Sequence, residues 1–449
     1  MEITPTTPDP SATTPSTWQE IKTVLSQRNF RLLWLGQGIS LLGDQFGFIA
    51  LPWLVLQLTG DAFAMGLVMA MAGVPRAVFM LFGGALTDRF SPRMLMLVTN
   101  IARMVLVAIL SIAILATIIE LWMIYLFALL FGLADAFFYP AASAIVPTLL
   151  PRQQLQIGNS ITQGTAQLSV FLGPVLAGVV IALFAGESTG GETAVPNLRG
   201  IGIAFALDAL TFLVSALTLK LMHSPRPQTM ADKAQNMWHA IREGLAYVWH
   251  DDLLRTIFVT VAAISVLSIA PINLGVPVIA DERMPNGAAA FGILMSAYGA
   301  GSLVGIILSG VLPKPPPALL GTVLFMTVGI IGLLMIGLAF AYSLFSAGLL
   351  LACIGLIDGW VLIQFTTWLQ LRSPEALLGR IMALLMFAFV GLAPVANTVL
   401  GWLIEWNLVL IIVISGGLLT LISFWAAFRP NIRQMGTAVS LAAGTNNEP

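Results

Sequence analysis

The sequence predicts an all-α membrane protein whose twelve transmembrane helices form two pseudo-symmetric six-helix bundles. Three observations carry that expectation. Of the 449 residues, 58% are hydrophobic and only 9% charged, with a mean hydropathy of +0.93. Soluble domains hold about 45 to 50% apolar residues, so lipid is the principal solvent here. Next, twelve apolar stretches reach the roughly 20 residues that a helix needs to cross hydrocarbon: 32–58, 63–87, 94–117, 121–147, 159–184, 200–221, 255–280, 289–312, 318–340, 343–370, 380–404 and 407–428. Finally, the longest polar connection, from His223 to Arg255, leaves six stretches before it and six after.

These boundaries divide the chain into a disordered cytoplasmic tail and lead-in (1–30), a first six-helix bundle (31–222), a linker (223–253), a second bundle (254–429) and a cytoplasmic tail (430–449). The opening run MEITPTTPDPSATTPSTW is rich in Pro, Thr and Ser and lacks the basic and apolar regions of a signal peptide. Sixteen of the 20 Lys and Arg residues fall in connections on one side, while only Arg199 and Arg283 fall on the other. Basic residues accumulate on the cytoplasmic side, which puts both termini and the linker there. Within the linker, Trp238, Ile241, Leu245, Val248 and Trp249 recur at helical spacing, which reads as a short amphipathic helix at the bilayer surface. It is either a tether coupling the halves or a helix packed on the protein.

Several function classes are excluded. A net charge of −1 offers no overall basic surface for nucleic acid. The lone cysteine, Cys353, rules out an internal disulfide and a cysteine metal cluster. No cofactor fingerprint, metal-ligand cluster or nucleophile triad is present, so neither an enzyme nor a bound cofactor is expected. All three histidines, His223, His239 and His250, lie in the linker, leaving carboxylates for any proton relay within the membrane.

An internal repeat supports duplication. GLADAFFYPA at 132–141 resembles GLIDGWVLIQ at 355–364, aligning Gly132 with Gly355 and Asp135 with Asp358 in the fourth stretch of each half. Six ionisable residues lie well inside stretches: Asp44, Arg76, Arg103, Asp135, Asp208 and Asp358. Each costs about 2.5 to 3.5 kcal/mol at a helix centre, so they must pair, protonate or line water. Asp44 and Arg76 lie at similar depth on adjacent helices and are the expected pair, either fixing packing or exchanging partner for proton. Arg103 and Asp208 are candidates for a structural pair. Asp135 and Asp358, near the midplane, fit a cation or proton site, or else a hydrogen bond to a neighbouring hydroxyl. Phe137, Phe138, Tyr139, Trp360 and Trp368 could line a cavity for an amphiphile or face lipid and other helices.

The segment GGALTDRFSPRML, 83–95, resembles the signature loop of the major facilitator superfamily, G-x-x-x-D-R-x-G-R-R. Gly84, Asp88, Arg89 and Arg93 are retained, while Ser91 replaces a glycine and Pro92 a basic residue. Further stretches, including SLLGDQFGFIALPWLVLQLTG and EALLGRIMAL, are similar to its drug and siderophore exporter branch, the group of enterobactin and macrolide efflux proteins. SVFLGPVLAG resembles the antiporter motif of its fifth span, retaining Gly173, Pro174 and Gly178, with Ser160 and Ser169 where glycines are usual. The resemblance covers nearly the whole chain. It implies the major facilitator fold, a cytoplasmic gate at Gly84, Asp88, Arg89 and Arg93, and helix packing by Gly173, Pro174 and Gly178.

The expected function is therefore multi-pass transport in a bacterial plasma membrane, by a monomer exporting a small amphiphilic compound in exchange for protons. Asp44, Arg76, Asp135 and Asp358 are the candidates for proton coupling and the substrate cavity. The alternatives are a proton-independent lysophospholipid transporter of the same fold and a non-transporting membrane sensor.

Overall fold

The computed structural model describes residues 17–184, 198–223, 245–284, 287–313, 315–373, 381, 384–385, 392–433 and 435, with the side chains of 81–89 and 152 outside that description. After a short leading helix, Thr17–Ser26, the first half comprises α1 (Arg28–Thr59), α2 (Ala62–Arg89), α3 (Pro92–Leu115), α4 (Leu121–Leu149), α5 (Leu155–Leu183) and α6 (Arg199–Leu221). The second comprises α7 (Asp252–Arg283), α8 (Gly287–Val311), α9 (Leu320–Ala339), α10 (Leu344–Arg372), α11 (Ala393–Trp406) and α12 (Leu408–Ala427). Eleven described helices are long and apolar enough to cross a membrane; α11 is described as a helix only from Ala393, so the earlier part of its apolar stretch falls largely outside.

Local chemistry sets the helix ends. α1 stops where Gly60 turns left-handed (φ 65°) and its amide returns to the Leu56 carbonyl, a conformation that glycine adopts without steric cost. Between α2 and α3 the chain stays helical through Arg89, and only Phe90 and Ser91 intervene. Ser91 accepts a hydrogen bond from the Met94 amide and Pro92 opens α3: an N-cap followed by a proline whose missing N–H is not needed there. The segment 83–95 is thus a helix end and a capped helix start rather than an extended loop.

Corresponding helices pair in the same way. Gly132 on α4 lies against the Ala72 backbone of α2, and Gly355 on α10 lies against the Tyr298 backbone of α8. Any β-carbon at either position would strike a main-chain carbonyl, so the repeated glycine marks where equivalent helix pairs approach most closely.

Among the described residues, contacts between the halves concentrate at the end opposite the chain termini. Gly178 of α5 meets Ala288 and Gly292 of α8, Gly66 of α2 meets the Asn397 carbonyl of α11, and Gly73 meets Pro394. Ser296 accepts from the Val175 amide at 2.9 Å. At the rim, Gln57 donates to Asp281 at 3.1 Å, and the Phe63 amide is shared by Asp61 (2.6 Å) and Glu405 (3.0 Å). At the other end of the second half, Ile432 and Met435 are fully buried, and the Met435 carbonyl accepts from the Trp368 indole at 2.8 Å. In the linker, Leu245, Val248 and Trp249 fall in the helical segment 245–250, with Val248 buried, whereas Trp238 and Ile241 lie outside the described residues.

Two outcomes follow. Gly132→Val and Gly355→Val should each lower stability by about 1 to 3 kcal/mol through overpacking, seen as a reduced thermal midpoint in detergent; an unchanged midpoint would contradict the close approach. The rim contact should respond to pH. Glu405 and Asp61 lie just outside the apolar stretches. The hydrogen bond to Asp61 raises the Glu405 carboxyl, together with partial desolvation. At Asp61, desolvation pushes upward, but hydrogen bonds with Glu405 and from the Ala64 and Phe63 amides prevail and hold it low. The contribution of Glu405 is complete below its ordinary range and disappears as pH rises through its elevated value, while that of Asp61 is lost only as pH falls through its depressed one. Spin labels at positions 59 and 406 should therefore move apart as pH is raised, and Glu405→Gln should remove the dependence. A parent distance indifferent to pH would refute it.

Candidate functional site

The inner face of the first half gathers five of the six membrane-embedded charges. Arg103 on α3 is 1% exposed and Asp135 on α4 6%; the Arg103 guanidinium donates directly to the Asp135 carboxylate. It also stacks 3.9 Å from the Phe138 ring centroid, with Phe131 and Phe212 at 5.6 Å and Tyr139 at 5.9 Å. A desolvated cation is stabilised by such ring faces. From α2, Arg76 approaches the second Asp135 oxygen to 3.7 Å.

The expected pairings are therefore corrected. Arg76 pairs with Asp135 and not with Asp44, because Gly132 brings α2 and α4 together at Ala72 and both charges lie about one turn further along that contact. Similar depth does not decide contact; the facing sides of the helices do. Arg103 pairs with Asp135 and not with Asp208. Asp208 is turned towards α1, where Gly43 and Gly47 leave room for its carboxylate, and it accepts from Thr211 at 3.4 Å. Asp44 takes no hydrogen bond from a described residue and lies within electrostatic range of both Arg103 and Asp135. The cluster thus holds three carboxyl groups against two guanidiniums.

A cavity of about 500 Å³ opens beside this cluster, lined by Trp34, Gln37, Tyr139, Asn159 and Gln163 among others from α1, α4 and α5. Trp34 donates to Thr165 at 2.8 Å. In the second half the repeat-related Asp358 has no guanidinium; it accepts from the Tyr298 hydroxyl at 2.6 Å. Of the aromatic residues singled out, Phe138 packs on Arg103, Trp368 is buried on Phe365 and Tyr139 lines the cavity. Gly173 abuts Gln45 of α1, and Gly178 and Pro174 abut α8, so this motif sits on the seam between halves. Arg93 donates to the carbonyls of Leu219 (2.7 Å) and Lys220 (2.9 Å) at the end of α6, in its own half. Gly84 falls within the helical run of α2, and the side chains of Asp88 and Arg89 lie outside the described residues. Sequence reasoning did not identify Tyr298, Asp61 or Glu405; only their placement against helices distant in sequence marks them.

The model of the Major Facilitator Superfamily matches residues 33–396. The chain belongs to the major facilitator superfamily. This superfamily member is similar to macrolide efflux protein A of Streptococcus pyogenes, at 22% identity over 285 residues, 63% of this chain. That match spans 66% of the relative, just under two thirds of its length. It is also similar to the multidrug efflux pump Tap of Mycolicibacterium fortuitum, 26% identical over 350 residues (76% of this chain, 81% of the relative). The staphyloferrin A transporter of Staphylococcus aureus is 23% identical over 347 residues (77% and 82%). Among solved structures, the nucleoside transporter NupG shares the fold at a TM-score of 0.68 and 13% identity, covering 89% of this chain and 99% of that one. A bacterial homologue of the iron transporter ferroportin in an inward-facing state does so at 0.68 and 14%, covering 90% and 99%. Membership of this superfamily makes the chain a multi-pass membrane protein and not an enzyme.

Within this facilitator, Asp135→Asn should cost about 3 to 5 kcal/mol by stranding the buried Arg103 charge, while Asp44→Asn removes no such partner. Thermal unfolding in detergent checks the order; equal losses would argue against Asp135 as the anchor.

Proposed function

We propose that the protein exports a small amphiphilic compound from a bacterial cell in exchange for protons, by alternating access between its two halves. The observation that carries this reading is the charge imbalance of the first-half cluster. Three carboxyl groups face two guanidiniums in a low-dielectric bundle, so one proton balances the site, and Asp44 is the acid without a described hydrogen bond to hold it ionised. Proton arrival and departure at Asp44 would change the pull on Arg76 and Arg103, and with it the relative energies of the two orientations.

Further support comes from the asymmetry of contacts between halves. They concentrate at the end away from the termini, and the basic residues of the connections mark the terminal end as cytoplasmic. In that orientation in the plasma membrane the described contacts between the halves lie on the outer side. Asp88, Arg89 and Arg93 lie at the cytoplasmic end of α2 and α3, where a gate would close, and Arg93 already holds the end of α6. The similar macrolide, multidrug and staphyloferrin A transporters favour a drug or siderophore-like cargo. The protein acts as a monomer in this reading.

In proteoliposomes, an imposed pH gradient should drive export, and Asp44→Asn should abolish that drive while the protein remains monodisperse. Gradient-driven transport that survives Asp44→Asn would remove this residue from the mechanism. A carrier that ignores the gradient altogether would sink proton exchange and leave a proton-independent lipid carrier of the same fold.

A further inference from the structure

The second half contains a cavity of about 270 Å³ walled by α7, α8, α9, α10 and α12, with no residue from the first half in its wall. Its lining is mostly apolar, and among the described residues Asp358 is its one acid. Tyr298 occupies one oxygen of that carboxylate, Oδ2. Ser265 lines the same cavity, is 4% exposed, and its hydroxyl has no hydrogen-bond partner. Buried hydroxyls are rarely left so, and an unpartnered one beside a cavity points to a ligand. Phe325, Phe365 and Tyr298 add aromatic surface.

The decisive feature is that no described residue supplies a countercharge. Asp135 in the first half has two guanidiniums, whereas among the described residues the basic side chains of these five helices, Arg255, Arg283 and Arg372, all lie at helix ends. Asp251, Asp252, Asp281 and Glu282 likewise lie at the ends of this bundle, Cys353 is the other titratable group along α10, and Gln167, which reaches Ser302 from α5, is neutral. An ionised carboxylate in such surroundings is unfavourable unless a proton or a cation joins it. We infer that the second half binds a small organic monocation, an amine carrying an aryl or alkyl body, inside its own bundle and not between the halves. The ammonium meets Asp358 and the Ser265 hydroxyl, and the apolar body lies against the phenylalanines. Cation and proton exclude each other at Asp358. The size of the cavity, below the usual range for drug sites of about 300 to 1,000 Å³, restricts the ligand to one or two rings.

This deepens the exporter reading by assigning a cargo class, and rests on that reading only where transport is concerned. The test is binding of 1-naphthylmethylamine to the full-length protein in nanodiscs, followed by its fluorescence, with 1-naphthylmethanol and 1-naphthylacetate as the neutral and anionic counterparts. The amine should bind at about pH 8 and lose affinity as pH is lowered, by about tenfold for each unit below the point at which Asp358 takes a proton; the alcohol and the acid should bind at least about tenfold more weakly than the amine. Asp358→Asn should lose about tenfold or more and become indifferent to pH. Ser265→Leu, which fills the cavity while keeping the acid, should also weaken binding, and it serves if the Asp358 variant does not fold. Amine affinity unchanged in a folded variant of either kind, an equally tight alcohol, or pH-independent binding by the parent would overturn the site. Binding without gradient-driven transport would sink the exporter reading and keep the site; transport of other compounds without amine binding would do the reverse.

Discussion

An arginine side chain with almost no solvent contact, held midway along a membrane helix, is the constraint around which the first half is organised. Leaving Arg103 unpaired in hydrocarbon would cost about 2.5 to 3.5 kcal/mol even on the mildest scale, so α4 must present Asp135 to it and aromatic rings must cover what the carboxylate leaves open. That demand fixes the rotation of α3 and α4. Arg76 then joins from α2, and the acid becomes shared. Asp44 and Asp208 are left facing a positive charge already engaged elsewhere, so the cluster holds one more carboxyl group than it has guanidiniums.

Duplication explains why the second half looks alike in backbone and unlike in chemistry. Gly132 and Gly355 set the same helix contact against Ala72 and Tyr298, and three residues later each helix carries an aspartate. In one copy two arginines compensate that aspartate; in the other a tyrosine hydroxyl does so in part. One scaffold thereby supports a cluster that holds its own counterions and a cavity that lacks them.

Much of the architecture was legible in the sequence because the bilayer imposes a length and a polarity that composition must obey. The positions of the eleven described spans followed from that requirement, and the matched glycine-aspartate repeat from internal similarity. The expected pairs Asp44–Arg76 and Arg103–Asp208 did not form. Depth along a helix is written in the sequence, but the direction of a side chain around the axis depends on which neighbour comes close, and glycines at 43, 47 and 132 decided it. Tyr298 escaped notice for the related reason that a tyrosine in an apolar run carries no sign of the acid, 60 positions away, that it will meet. The charge-rich segment at 83–95 read as a loop because Ser91 and Pro92 break the helix; they do so within two residues by capping the next one.

The seam between the halves has a mechanical consequence. Gly178 rests on Gly292, Gly66 on a main-chain carbonyl and Gly299 on the Val170 carbonyl, so at these points backbone meets backbone. A joint of this kind behaves as a smooth bearing: its surfaces can roll or part without a cascade of rotamer changes, and most carbonyls it uncovers remain bonded within their own helices.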